Sequence, residues 1–169
     1  MATGGGEAYA TELLLRQLLE LTKSPPEGIS VGLKDDNMFV WEILVVGPAG
    51  TPYEEGFFTA ELRFPRDFPS QPPEMVFLSE MWHPNIYPDG KVCISILHPP
   101  GVDRFNEMET ADERWRPILG VEQVLMSVIS LFSDPNDESP ANIDAAKQWR
   151  DDPKAFRRKV RETVSKTLE

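Results

Sequence analysis

The chain has 169 residues, a single cysteine and a formal net charge of −11, so it can form no intramolecular disulfide. A chain of this length fits one domain that buries roughly 70% of its unfolded surface, and with 40% apolar residues it needs no covalent staple. The acidic balance excludes free nucleic acid as the main partner, because phosphate binding needs a basic surface.

The charge is uneven. From Pro153 onward there are six basic residues (Lys154, Arg157, Arg158, Lys159, Arg161, Lys166) against Glu162 and Glu169, which leaves 11 basic and 26 acidic residues in the rest of the chain. Either an acidic body meets basic partners, or the C-terminus carries a solvated helix face. No apolar run reaches membrane length, so direct membrane insertion is not expected. Met1 to Ala10 is Gly-rich and lacks the basic and apolar regions of a signal peptide, which makes the cytosol or nucleus the expected location. A lone thiol, Cys93, is either a small buried hydrophobe or a reactive group.

Residues 1–10 read as a flexible start and 11–169 as one domain. Leu13, Leu14, Leu18 and Leu21 recur at helical spacing, and Pro25 and Pro26 stop that helix. Ile29 to Leu33 reads as a strand, with a turn at Asp35, Asp36 and Asn37. Phe39, Trp41, Ile43 and Val45 alternate as in a half-buried strand, and so do Phe58, Ala60, Leu62 and Phe64. Four prolines (Pro65, Pro69, Pro72, Pro73) stiffen the next loop, and Met75 to Leu78 is a fourth strand. Ser79 to Pro117 is irregular, with an apolar run only at Val92 to Leu97, and loops of that length are usually functional. Val121 to Phe132 is helical, Ser139 and Pro140 read as cap and first residue of a helix to about Arg150, and Asp152 with Pro153 opens the last helix. Short turns favour antiparallel pairing. The expectation is an α+β fold: an N-terminal helix, a four-stranded antiparallel meander sheet, a long loop and three C-terminal helices.

The loop reads Trp82-His83-Pro84-Asn85-Ile86-Tyr87-Pro88-Asp89-Gly90-Lys91-Val92-Cys93-Ile94. A turn at Pro88-Asp89-Gly90 would fold Asn85 back toward Cys93. From composition alone, Cys93 stands equally well as a nucleophile or as core packing.

This stretch resembles the His-Pro-Asn motif and active cysteine of the ubiquitin-conjugating enzymes. Further matches keep the family's order: Trp41-Glu42, Gly47-Pro48, Tyr53-Glu54, Gly56, Phe64-Pro65, Phe68-Pro69 and Pro72-Pro73 before the motif; then Cys93-Ile94-Ser95-Ile96-Leu97-His98, Trp115, Pro117, Asp134-Pro135-Asn136 and Ser139-Pro140-Ala141-Asn142. The resemblance covers about Leu13 to Leu168.

It implies that Cys93 takes ubiquitin from the activating enzyme as a thioester and passes it to a lysine of a substrate or of another ubiquitin, usually with a RING-type ligase. A thiolate suits this chemistry as both nucleophile and leaving group. No cofactor is implied, since ATP is used by the activating enzyme, and one cysteine with two histidines makes a zinc site implausible. Asn85 carries over as the motif amide, with two open roles: donating to the tetrahedral oxyanion or holding the loop through backbone hydrogen bonds. His83, beside Pro84, reads better as architectural than as a base. The attacking lysine, with an ordinary pKa near ~10.4, must lose a proton. The resemblance puts Ser139 at the family's gate position, with Asp137 and Glu138 adjacent, yet Ser139 reads better as a plain helix cap.

Between Cys93 and Trp115 lie 21 residues, including Asp103, Glu107, Glu109, Asp112 and Glu113. This resembles the acidic loop of the subclass that includes the enzymes of endoplasmic-reticulum-associated degradation; it reads either as a solvated, mobile insertion or, better from its position just after Cys93, as a gate that favours chain building. The same resemblance leaves open recruitment to the endoplasmic reticulum surface by a partner. Pro65, Pro117 and Ile118 are candidate ligase contacts. Two departures bear on partner choice: the first helix has only Arg16 and Lys23 among Glu7, Glu12 and Glu20, and Ser70 stands where a large apolar residue is common. Two other readings compete: a non-catalytic ubiquitin-binding scaffold of the same fold, and a Cys–His hydrolase using His83 or His98. The hydrolase needs a base held by a third group, and neither histidine shows one in sequence.

Overall fold

The computed structural model describes residues 3–102 and 109–169. Helix α1 (Thr3–Lys23) leads into strands β1 (Ile29–Lys34), β2 (Asn37–Val46), β3 (Phe57–Arg63) and β4 (Glu74–Phe77), and helices α2 (Val121–Ser133), α3 (Ile143–Asp151) and α4 (Pro153–Thr167) follow the long loop. The strands pair antiparallel in the order β1-β2-β3-β4, the meander expected from their short turns. The β1–β2 turn is tight because Asp35 (φ 51°) and Asp36 (φ 59°) both take left-handed conformations, as a two-residue hairpin requires. Aspartate accepts that region more readily than most residues.

Register explains the core. Val31, Ile43, Ala60 and Phe77 lie in one row across the four strands, and Leu33, Trp41, Leu62 and Met75 in the next. Six of these eight are buried, and Val31 and Leu33 pack against them. The period-2 alternation therefore marks the covered face. Glu61, from the other face of β3, is also buried. Lys34 and Arg63 flank it, and its hydrogen bond from Lys34 holds its carboxyl below the usual range.

Helix α1 begins at Thr3, not near Leu13. The segment expected to be a flexible start is helical over residues 3–10 and already adds Ala10 to the core. Gly4, Gly5 and Gly6 conceal it in the sequence, since each glycine disfavours a helix by about 1 kcal/mol relative to alanine.

Helix α3 begins later than expected. Its cap is Asn142, whose Oδ1 accepts from Ala145 N at 3.0 Å, and not Ser139. The delay has a cause: Ala141 N and Asn142 N both donate to Pro84 O, at 2.8 and 3.0 Å. Those are the amides that Ser139 Oγ would otherwise cap, so the capping role passes to Asn142. Asp152 does cap α4, with Pro153 in the first turn, as expected.

Candidate active site

The long loop is folded onto the sheet edge. Gly90 makes this possible: its φ is +101°, and a Cβ there would sit 2.1 Å from Phe77 O. Phe77 N donates to Gly90 O at 2.8 Å, and isolated bridges join Val76 to Lys91 and Ile86 to Val92. The expected turn thus forms, and Cys93 N donates to Asn85 O at 2.8 Å. Cys93 is a free, half-buried thiol in a cleft of about 460 Å³ that Asn85, Ser95, His98, Glu109 and Ser139 also line.

Asn85 is buried, and its side chain grips the backbone of Asn136. Nδ2 donates to Asn136 O at 2.5 Å, and Asn136 N donates to Oδ1 at 2.9 Å. This is the loop-holding geometry, drawing the segment after α2 against the loop before Cys93. An amide nitrogen has two N–H groups, so one remains for other use.

His83 is fully buried against Tyr53 and Phe132. Its Nδ1 accepts from Asn85 N at 2.9 Å and its Nε2 lies 2.8 Å from Leu131 O. That carbonyl can only accept, so Nε2 carries the proton and both nitrogens are occupied. Burial lowers its pKa from 6.5 to about 4. His83 is therefore architectural, as the sequence suggests, and orients Asn85 through the backbone.

His98 is placed differently. The turn at Ser95–Leu97 brings it back over Cys93, with Nε2 3.9 Å from Sγ. Its Nδ1 lies 2.7 Å from Glu109 Oε2. Glu109 is only 7% exposed. It also accepts from Ser95 Oγ at 2.6 Å and pairs with Arg114 at 3.2 Å. Trp115 N donates to His98 O at 3.0 Å, which fixes the histidine's backbone. The absence of an orienting partner in the sequence counted against a Cys–His pair, but His98 has one in Glu109. The pattern could not single it out, since Glu109 reads as one acid among five in a charged loop. Tyr87 is a second neighbour missed in sequence: the Cys93 thiolate beside it raises its phenol above the usual 10.

Of the remaining expected residues, Ser139 and Glu138 reach the cleft. Asp137 instead turns to Arg150 of α3, 4.0 Å away. Glu113 lines the cleft and Asp112 is exposed, whereas Asp103 and Glu107 lie outside the described residues. Pro65 is half-buried, Pro117 is exposed and Ile118 is 82% exposed. Trp115 links their two loops by donating from Nε1 to Pro69 O at 2.8 Å and packing on Phe68. Among the described residues, no cluster of three or more His, Cys, Asp or Glu could hold a metal ion, and no helix is long and apolar enough to cross a membrane.

Comparison with known proteins places this site in context. The family model described as ubiquitin-conjugating enzyme matches residues 13–164. The chain is 55% identical over 159 residues to ubiquitin-conjugating enzyme E2 15 of Schizosaccharomyces pombe, covering 94% of this chain and 95% of that protein. It is 53% identical to ubiquitin-conjugating enzyme E2 14 of Arabidopsis thaliana over 95% of this chain and 96% of that one. It is 50% identical to ubiquitin-conjugating enzyme E2 G2 of Homo sapiens over 94% and 96%.

Proposed function

The chain belongs to the ubiquitin-conjugating enzymes, and from that premise we propose that Cys93 is the residue that carries ubiquitin as a thioester. The family is a family of transferases working with ubiquitin, an activating enzyme and a ligase. One observation carries the assignment to Cys93: the chain's single thiol opens into the cleft, anchored through its backbone to Asn85. The second N–H of Asn85 is the candidate donor to the tetrahedral oxyanion, alongside the loop-holding role that its bonds to Asn136 support. The residues from Thr3 onward act as one catalytic domain.

The finer reading is chain building by a member of the acidic-loop branch, with a RING-type ligase docking at Pro65, Pro117 and Ile118. The exposed side chain of Ile118 supports a docking role. Asp112 and Glu113, with Asp103 and Glu107, orient an acceptor ubiquitin. We place the enzyme in the cytosol or nucleus, with a partner recruiting it to the endoplasmic reticulum surface, on the strength of the sequence resemblance.

The test is loading with activating enzyme, ATP and ubiquitin. Wild type forms an adduct cleaved by reductant, and Cys93→Ser forms one that resists it. An adduct on wild type that resists reductant, or no adduct on wild type, refutes the assignment, and the latter outcome favours the scaffold reading.

A further inference from the structure

We propose that His98 is the proton acceptor of this site and that Glu109 positions it, an inference that rests on Cys93 carrying the thioester. A carboxylate at Glu109 only accepts, so in the neutral imidazole of His98 the proton sits on Nδ1 and the Nε2 lone pair faces the sulfur at 3.9 Å. Nucleophile, base and orienting carboxylate stand in the relation that activates nucleophiles in unrelated enzymes. Arg114 and Ser95 hold the carboxylate, and the Ser95–Leu97 turn and the Trp115 amide hold the histidine. A histidine serving only to pin the loop would have no reason to present its free nitrogen to Sγ.

The arrangement serves both half-reactions. On loading, Sγ attacks the carbonyl carbon of the incoming thioester and its proton passes to Nε2. The new C–S bond forms, the old one breaks, and the departing thiolate takes a proton from His98 or solvent. On discharge, the lysine nitrogen attacks the same carbon, one amine proton passes to Nε2, the C–N bond forms, and Cys93 leaves as thiolate. Among the described residues, the other charged or titratable groups facing this volume are Arg114 through Glu109, Tyr87 beside the sulfur, and Glu113 and Glu138 on the cleft wall.

Two measurements on the full chain test the proposal. In the first, preloaded thioester is discharged onto free lysine from pH 6.5 to 9.5 in wild type, His98→Gln, Glu109→Gln and Glu109→Asp. Removing a general base slows proton transfer by about 10²-fold or more. The expected result is a loss of that size for His98→Gln at pH 7 that shrinks as the pH rises and hydroxide takes the proton. Glu109→Gln should lose about tenfold, and Glu109→Asp should recover part of that. A merely structural role would give a loss independent of pH.

The second measurement needs no ubiquitin: alkylation of Cys93 by iodoacetamide at pH 7.0 and 9.5, with folding checked by circular dichroism. Wild type should react about tenfold faster than His98→Gln at pH 7.0 and about equally fast at pH 9.5. Equal alkylation at pH 7.0, or discharge rates within threefold across the range, overturns the proposal even though loading of wild type still holds. If His98→Gln does not fold, the same comparisons on Glu109→Gln decide the matter by the same criteria.

Discussion

Replacing Asn85 with alanine should destabilise the protein by about 2 kcal/mol before any effect on chemistry is counted. The truncation removes two hydrogen bonds, from Nδ2 to Asn136 O and from Asn136 N to Oδ1. Each net bond contributes about 0.5–1.5 kcal/mol. Asn136 is itself exposed, so water can reach its backbone groups once the amide is gone, which keeps the sum near 2 kcal/mol rather than at the level of two buried orphans. For a domain of this size that lowers Tm by about 4–8 °C. Urea unfolding followed by tryptophan fluorescence, with wild type and variant compared at pH 7.5, measures the difference. Asn85→Asp sharpens the test. Its carboxylate still accepts from Asn136 N but faces Asn136 O with no proton to donate, so it should be at least as destabilised at pH 7.5 and recover partly when protonated below about pH 4. A stability change under about 0.5 kcal/mol for Asn85→Ala, with a discharge rate 10²–10³-fold lower, would refute the loop-holding account and leave the oxyanion role alone.

Two further outcomes follow from the buried histidine and from the relocated cap. His83 should stay neutral by NMR until about pH 4. Between pH 6.5 and 4 the unfolded chain binds a proton there that the native state does not, so stability rises with pH across that window, and its fall to pH 4 removes about 3 kcal/mol; a His83 titration midpoint near 6.5 would contradict this. Asn142→Ala should cost about 1 kcal/mol by removing the α3 cap, whereas Ser139→Ala should change stability by less than about 0.5 kcal/mol; thermal melts of the two variants reversing that order would show the cap misplaced.

Periodicity and turn chemistry suffice for the sheet. The alternation from Phe39 to Val45 and from Phe58 to Leu62 identifies the buried face because a strand turns its side chains by halves, and that property is local. Local rules fail where distant backbone groups compete. Ser139-Pro140 is a sound cap sequence, but the Pro84 carbonyl, far away along the chain, claims the amides that the Ser139 side chain would cap. The glycines near the start predict a loose end, yet helix α1 extends through them and places Ala10 in the core.

The site divides the same way. The motif resemblance singles out Cys93 and Asn85, and the turn at Pro88-Asp89-Gly90 explains how the chain brings the two together over nine positions. Only the tertiary structure decided how the histidines differ. His83 is closed on both nitrogens by backbone groups, one of them from α2, while His98 turns its free nitrogen to the thiol. The deciding partner, Glu109, belongs to a loop whose acidic composition suggests a solvated segment. Its burial follows from Arg114, Ser95 and His98 converging on one carboxylate, a three-way arrangement that no periodicity encodes.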